Sequence, residues 1–357
     1  MKKIVMTGGG TAGHVTPNIA MIPKLKELGY EIEYIGSIDG IEKQLINNVG
    51  IQYHGIKAGK LRRYFDFKNL TDGFKIISGF TSASILLKKI KPNIVFSKGG
   101  YVTSPIVWAA WLNRIPVVMH ESDITPGLAN KLGIPFANKV CYSFPETKKY
   151  LPEDKSVHTG VPVRRELLKG DANKGKKICG FTNNKPIILV IGGSLGSVII
   201  NNKIRENIDE LLEKYQICHI CGKGNIDNAL SKKDGYKQLD YVGNELSHIF
   251  AMSDVIISRA GATVLNEILY LKKPNLLIPL SKKASRGDQI LNANSFEKQG
   301  FSLVLQEEEL ESTNITNKID MVYNSRKYYI DNMKKNNTSD GVNNVIEVIE
   351  KNIKTDK

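Results

Sequence analysis

The chain has 357 residues, 41% of them hydrophobic and 24% charged, with a formal net charge of +14. That length exceeds what a single ordinary core organises, so two domains are expected. The composition is that of a soluble globular protein, and no apolar run approaches the ~20 residues that cross a bilayer. The opening MKKIVMTGGG turns into glycine too early for a signal peptide, so a cytoplasmic site of action is expected. Four cysteines, Cys141, Cys179, Cys218 and Cys221, are too few and too scattered for a disulfide framework. Lys, Ile and Asn abound throughout, which accounts for part of the charge; the rest points to a polyanionic partner. Residues 1–160 hold 21 Lys and Arg against 12 Asp and Glu, the remainder 29 against 24, so the excess leans to the first half. Basic residues are not interleaved with stacking aromatics, which favours an anionic membrane surface over nucleic acid.

In chain order, residues 3–7 read as a buried strand, followed by the glycine turn 8–13, His14, a helix over 17–28 stopped by Gly29, and a strand over 31–36. This is the opening of a doubly wound parallel sheet. Gly8, Gly10 and Gly13 also fit G-x-G-x-x-G, with Asp39 at ribose distance, so a dinucleotide site is an open alternative. His14 stands at the mouth of the sheet, where a general base would be useful; a helix-end cap is its bland reading. A basic stretch with Lys57, Lys60, Arg62, Arg63 and Lys68 precedes an apolar helix over 74–87. Lys60, Arg62, Arg63 and Lys75 with Ile76 and Phe80 form the candidate membrane patch, the alternative being that the apolar residues are all core. Strands over 92–97 and 115–119 end in Lys98-Gly99-Gly100 and His120-Glu121-Ser122-Asp123. Polar residues directly after strand ends mark the carboxyl edge of the sheet as the working face.

Residues 169–177 read as an exposed loop, and then the pattern starts over. A strand over 186–191 leads into Gly192-Gly193-Ser194-Leu195-Gly196 and a helix reaching Leu212. The run 216–221 carries Cys218 and Cys221 at C-x-x-C spacing, but no second pair completes a zinc site, so it reads as a core strand. Tyr241 to Asn244 could edge a flat base. A strand over 255–257 breaks at Ser258-Arg259-Ala260-Gly261 and feeds a helix over 263–271, whose first-turn N–H groups would meet phosphate. Glu267, one turn in, could accept two hydrogen bonds from a ribose diol. A strand over 275–279 and a polar loop over 281–289 could close on the same ligand. Val342, Val345, Ile346 and Ile349 give the last segment an amphipathic helical face. Two similar Rossmann-like α/β halves facing across a cleft are the simplest architecture, with main-chain amides of the glycine turns in both halves holding a pyrophosphate.

GGGTAGHVTP at 8–17, HESDITPGLANK at 120–131, TGVPVR at 159–164, GGSLGS at 192–197 and SRAGATVLNE at 258–267, in that order, resemble the MurG family of peptidoglycan glycosyltransferases. The likeness runs from the first strand to about Ala293. It implies a GT-B fold, two Rossmann-like doubly wound parallel-sheet domains. Residues 1–160 would form the acceptor and membrane domain, 161–338 the UDP-sugar domain, and 339–357 a helix packing back across both. The implied activity transfers N-acetylglucosamine from UDP-N-acetylglucosamine to lipid I, undecaprenyl-pyrophosphoryl-N-acetylmuramyl-pentapeptide, at the cytoplasmic face of the cell membrane. Carried over by position, the donor would meet Thr11, Ala12, Gly13, Arg164, Ser194 at the diphosphate, the helix start Gly261, Ala262 and Thr263, Glu267 at the ribose, and Gln289 at the sugar hydroxyls. His14 would be the general base and Asp123 a second candidate. Three positions depart from the family pattern: Ala12 stands for a glycine, Asp123 for an asparagine, and Asp288 for the first of two glutamines.

No aspartates stand at D-x-D spacing, so neither a metal nor any other cofactor is expected, and the leaving diphosphate falls to helix N-termini with Arg164 and Ser194. The rivals are another UDP-sugar GT-B transferase with a different lipid acceptor, a sugar-nucleotide epimerase, and a non-catalytic sugar-nucleotide-binding subunit. The presence of both His14 and the 120–131 loop favours catalysis.

Overall fold

A computed structural model of the chain describes residues 2–59, 68–193, 196–283, 285, 287–336 and 340–354, the side chains of 68–74 excepted. The chain divides into two units, Met1–Arg164 with Thr338–Lys357, and Arg165–Asn337. The first is built on seven parallel strands: β1 (Lys2–Thr7), β2 (Tyr30–Ser37), β3 (Gln52–Ile56), β4 (Ile94–Ser97), β5 (Val117–Glu121), β6 (Lys139–Tyr142) and β7 (Ser156–His158), in the order β3-β2-β1-β4-β5-β6-β7. The second has six: β8 (Ile187–Ile191), β9 (Gln216–Ile220), β10 (Tyr236–Leu239), β11 (Val255–Ser258), β12 (Asn275–Leu277) and β13 (Leu303–Val304), in the order β10-β9-β8-β11-β12-β13.

Runs such as Ile187-Ile188-Leu189-Val190 are apolar without alternation because helices cover both faces of a parallel sheet. In the first unit this makes two cores. One packs Met6, Phe96, Val118 and Cys141 under Met21 and Leu25 of the helix Thr16–Glu27. The other packs Val5, Val95, Val117 and Met119 under Ala83 and Leu87 of the helix Lys68–Ile90 and Ile106 and Ala110 of Thr103–Leu112. The last helix, Gly341–Asn352, places Val342, Val345, Ile346 and Ile349 into the first of these cores. Its Asn344 side chain donates to the Thr159 carbonyl at 3.0 Å. In the second unit Cys218 and Cys221 are buried thiols of the sheet core. His219 between them is held by the Tyr236 hydroxyl at 2.8 Å and the Asn201 side chain at 2.9 Å, which is the structural role expected of that run.

Candidate active site

Each sheet reverses its strand order once, between β1 and β4 in the first unit and between β8 and β11 in the second. At a reversal the chain leaves neighbouring strands toward opposite faces, which opens a crevice beyond their carboxyl ends. The four glycine-bearing turns of the sequence follow these four strands.

In the first unit the two turns are zipped together. Lys98 N–H donates to the Thr7 carbonyl at 2.8 Å and Gly9 N–H to the Gly99 carbonyl at 3.2 Å. Only glycine fits at 100, where φ is +97° and a Cβ would lie 2.0 Å from the Gly9 carbonyl oxygen. Gly10 N–H donates to the carboxylate of Glu42 at 3.2 Å. Glu42 is fully buried and also accepts from Ser37 N–H at 3.0 Å and the Ser37 hydroxyl at 2.5 Å. This takes the Gly9 and Gly10 amides out of the phosphate cradle expected of the first half and leaves it those of Ala12 and Gly13. The Gly9 and Gly10 amides are already satisfied, one of them by an anion, which also removes the basis of the dinucleotide reading.

What the turn does is present His14. A 3₁₀ turn over Ala12–His14 brings the imidazole back over the loop, with Nδ1 at 3.1 Å from the Gly9 carbonyl and 3.1 Å from the Thr11 hydroxyl. A carbonyl only accepts, so Nδ1 carries the proton and the lone pair belongs to Nε2. The amides of Ala12 and Gly13 open that turn and have no partner within it.

The β5 turn is shaped by Glu121, whose carboxylate accepts from Asp123 N–H at 3.0 Å, Gly127 N–H at 3.0 Å and the Asn130 side chain at 2.8 Å. Burial and the charge of Asp123 raise its pKa. Three donors on one buried carboxylate make it the former of this loop. Asp123 itself is half-buried, with its carbonyl accepting the Thr147 hydroxyl at 3.3 Å. Lys98 is 1% exposed and donates to the Ser122 hydroxyl. Burial pulls its pKa down to about 8, opposed by Glu121, Asp123 and Cys141. His120 donates from Nε2 to the Gly160 carbonyl at 2.8 Å, and burial with the nearby Lys98 charge holds it neutral. Arg164, half-buried, closes the unit.

In the second unit the helix Ala262–Leu271 starts at Gly261, whose φ of −68° is ordinary and which supplies no side-chain cap. A Cβ there would meet nothing within 4 Å, so neither strain nor crowding demands glycine. Its effect is to leave the first-turn amides of Ala262 and Thr263 unobstructed, the arrangement that binds anions at helix N-termini. Glu267 lies buried on the same helix. Gln289, on the helix Asp288–Lys298, accepts on Oε1 from Ala260 N–H at 3.2 Å and Leu280 N–H at 3.1 Å. Two donors fix its orientation, so a sugar hydroxyl would meet its amide NH₂ rather than its oxygen. Ser194 lies outside the described residues, as do Lys60, Arg62 and Arg63. Of the other membrane-patch residues Lys75 is exposed, Ile76 is half-buried, and Phe80 packs against the core. The outward apolar side chains are Ile77 and Ile85, each 64% exposed, with Trp111 and Leu112, each 56%.

Sequence reasoning missed Glu42, Lys98 and Arg259 as site-forming residues. Arg259 is buried and donates to the Ser197 hydroxyl at 2.7 Å and to the carbonyls of Ile278 and Pro279 at 3.2 and 3.3 Å, while pairing with Glu307 at 2.5 Å. It fastens the ends of β11 and β12 to the start of the helix Val198–Glu206. The charged residue directly after a strand end was its signal. Glu42 gave none, since nothing in sequence separates it from a solvated helical glutamate.

Residues 4–142 match the glycosyltransferase family 28 N-terminal domain and residues 187–349 its C-terminal domain. A Clostridium tetani protein, UDP-N-acetylglucosamine--N-acetylmuramyl-(pentapeptide) pyrophosphoryl-undecaprenol N-acetylglucosamine transferase, is 62% identical over 350 residues, 98% of each chain. The chain belongs to the MurG family of glycosyltransferases. A Clostridium botulinum (strain Kyoto) protein of the same name is 60% identical over 351 residues, 98% of this chain and 99% of its own. Among solved structures, Acinetobacter baumannii MurG aligns with a TM-score of 0.76 at 24% identity, covering 98% of this chain and 100% of that one. UDP-GlcNAc 2-epimerase from Neisseria meningitidis, bound to UDP-GlcNAc, aligns at 0.67 with 15% identity over 99% and 100%. These last two likenesses are likenesses of fold, and the MurG-family fold is what the two parallel-sheet units display.

Proposed function

We propose that this chain is an inverting hexosyltransferase. It moves N-acetylglucosamine from UDP-N-acetylglucosamine to the C4 hydroxyl of the muramyl sugar of lipid I, giving lipid II and UDP in peptidoglycan synthesis. The observation that carries the reading is 62% identity over 98% of both chains to a transferase of that name. Identity at that level over the whole length disfavours the alternative of a different lipid acceptor.

Nε2 of His14 takes the proton of the C4 hydroxyl as its oxygen attacks the anomeric carbon from the face opposite UDP. The bond from that carbon to the diphosphate oxygen breaks, and UDP leaves with the electron pair. Positive character on the sugar ring and negative charge on the diphosphate grow together. The open amides at the start of the helix Ala262–Leu271, with Arg164 and Ser194, stabilise the departing charge. Glu267 accepts the ribose hydroxyls, Gln289 donates to the sugar, and Thr11 to Gly13 line the approach of the reacting groups. Asp123 is the second choice for the base. Among the described residues no three His, Cys, Asp or Glu side chains are grouped to hold a metal ion, and the reading assigns no step to one.

The isoprenoid tail of lipid I stays in the bilayer, so the enzyme has to work at a membrane surface. Among the described residues no helix is long and apolar enough to cross a membrane. On this reading the protein is peripheral to the cytoplasmic face, held by Lys60, Arg62, Arg63 and Lys75 on anionic lipid and by the outward side chains of Ile77 and Ile85. The deciding assay incubates the protein with UDP-N-acetylglucosamine and a lipid I analogue, with and without chelator. UDP release that depends on the acceptor and survives chelation is expected. Release independent of acceptor, or abolished by chelator, overturns the reading.

A further inference from the structure

We propose that Glu42 is the carboxylate partner of His14, coupled to it through one peptide group, and that it positions this histidine as the base. The proposal rests on the reading of His14 given above. The peptide linking Gly9 to Gly10 makes two hydrogen bonds in opposite directions. Its N–H, on Gly10, donates to Glu42 Oε2 at 3.2 Å. Its carbonyl, on Gly9, accepts from His14 Nδ1 at 3.1 Å. The chain therefore runs carboxylate, peptide, imidazole. A carboxylate on the N–H side of a peptide draws electron density toward its carbonyl oxygen, and serial hydrogen bonds strengthen one another in a low-dielectric interior. The better the Gly9 carbonyl accepts, the more firmly the proton sits on Nδ1 and the more basic Nε2 becomes. This is the service an orienting carboxylate renders a catalytic histidine directly, delivered here across a peptide plane.

The surroundings hold that plane still. Gly10 has a φ of +86°, and a Cβ on Gly9 would meet Glu42 Oε1 at 2.5 Å. The same oxygen accepts from Ser37 N–H and hydroxyl, so Glu42 cannot swing away without abandoning three donors. Among the described residues the phenols of Tyr34 and Tyr53 feel the Glu42 charge, Tyr53 donating to the Ser37 carbonyl at 2.5 Å, and Tyr101 donates to the Ser37 hydroxyl at 3.4 Å. Burial and the Glu42 charge raise the pKa of Tyr34 and Tyr53, so both phenols stay protonated. Lys98, whose Cβ borders Gly8, is the charged side chain of the adjoining β4 turn.

The test is Glu42→Gln in the full chain, with Glu42→Asp as a second variant that keeps the charge. Thermal unfolding checks that each is folded. In Glu42→Gln, kcat should fall by about 10- to 100-fold, part of the ~10²–10⁴ a general base supplies, with KM for UDP-N-acetylglucosamine unchanged. The acid limb of kcat/KM should move to lower pH, because loss of the anion lowers the basicity of His14. Glu42→Asp should recover part of kcat. Nitrogen-15 spectra of labelled histidine, with the His14 signals identified by their loss in His14→Gln, should show protonated Nδ1 in the parent and a tautomer mixture in Glu42→Gln. An unmoved acid limb together with an unmoved tautomer overturns the relay. If His14→Gln itself leaves kcat intact, the base assignment falls, and the nitrogen-15 comparison alone then decides whether Glu42 sets the tautomer.

Discussion

Lys98→Met is expected to stabilise the first unit at neutral pH and to lose that advantage in alkali. The ammonium is 1% exposed, and burial lowers its pKa from an ordinary 10.5 to about 8. At ~1.4 kcal/mol per pH unit, that depression withholds ~3 kcal/mol of folding free energy while the lysine stays charged. Below pH 8 folded and unfolded chains both hold the proton, and the whole penalty stands. Between about 8 and 10.5 the unfolded chain binds more protons than the folded one, so stability climbs with pH; above that window the penalty is gone. Methionine has nearly the same length and no charge, so packing is kept. It forfeits the hydrogen bond to the Ser122 hydroxyl, worth ~1 kcal/mol, which leaves a net gain of ~2 kcal/mol at pH 7. The assay is urea unfolding followed by tryptophan fluorescence at pH 7 and pH 10. Both tryptophans, Trp108 and Trp111, lie on the helix Thr103–Leu112, so the signal reports the first unit alone. A variant less stable than the parent at pH 7, or one whose difference from it is the same at both pH values, would refute the reasoning.

His14→Ala should lower turnover by ~10²–10⁴ while leaving UDP affinity by calorimetry unchanged; undiminished turnover removes it from the mechanism. Two glycine substitutions should behave oppositely. Gly261→Val enters space where a Cβ meets nothing within 4 Å, so thermal stability should hold. Its side chain crowds the helix start, and KM for the donor should rise about tenfold, the equivalent of one lost charge-assisted hydrogen bond. Gly100→Ala puts a Cβ 2.0 Å from the Gly9 carbonyl at a φ of +97° and should destabilise the first unit by ~2–3 kcal/mol in urea titration. For the membrane surface, Lys60, Arg62 and Arg63 changed together to Ala should flatten the salt dependence of binding to anionic vesicles. Ile77 and Ile85 changed together to Ser should weaken binding equally at all salt concentrations, and a salt-insensitive parent would remove the electrostatic part.

The parallel sheets were legible because unbroken apolar runs such as Val255-Ile256-Ile257 lead straight into glycine turns, and only a few chain topologies satisfy that alternation. The strand-end positions of His14, Asp123 and Gly261 followed from it. What stayed hidden were polar side chains whose role depends on distant neighbours. Glu42 carries no signal in the sequence, and only the fold brings it under Gly10, 32 positions earlier. Gln289 reads as a ligand contact, yet its oxygen is spent on Ala260 and Leu280, a use that spacing does not encode. On the helix Lys68–Ile90 the apolar content exceeds what one face needs, and only packing against the sheet core separates core-facing Phe80 from outward Ile77 and Ile85.

The same strand–glycine–helix unit occurs in both halves, and what lies beneath each turn gives it a different task. Under the first, a buried carboxylate consumes the Gly10 amide, so an anionic ligand would find an occupied donor and a repelling charge. That anion instead favours a proton-accepting imidazole beside it. Under the second, Arg259 and Gln289 brace the turn from below through Ser197, Ile278, Pro279, Ala260 and Leu280, and Glu307 offsets the guanidinium. Neither touches the amides of Ala262 and Thr263, and Gly261 keeps a side chain off them. A leaving diphosphate needs open N–H groups that do not reorganise as charge arrives, whereas a base needs a fixed acceptor behind it. The side chains beneath each turn thus divide those duties between two copies of one motif.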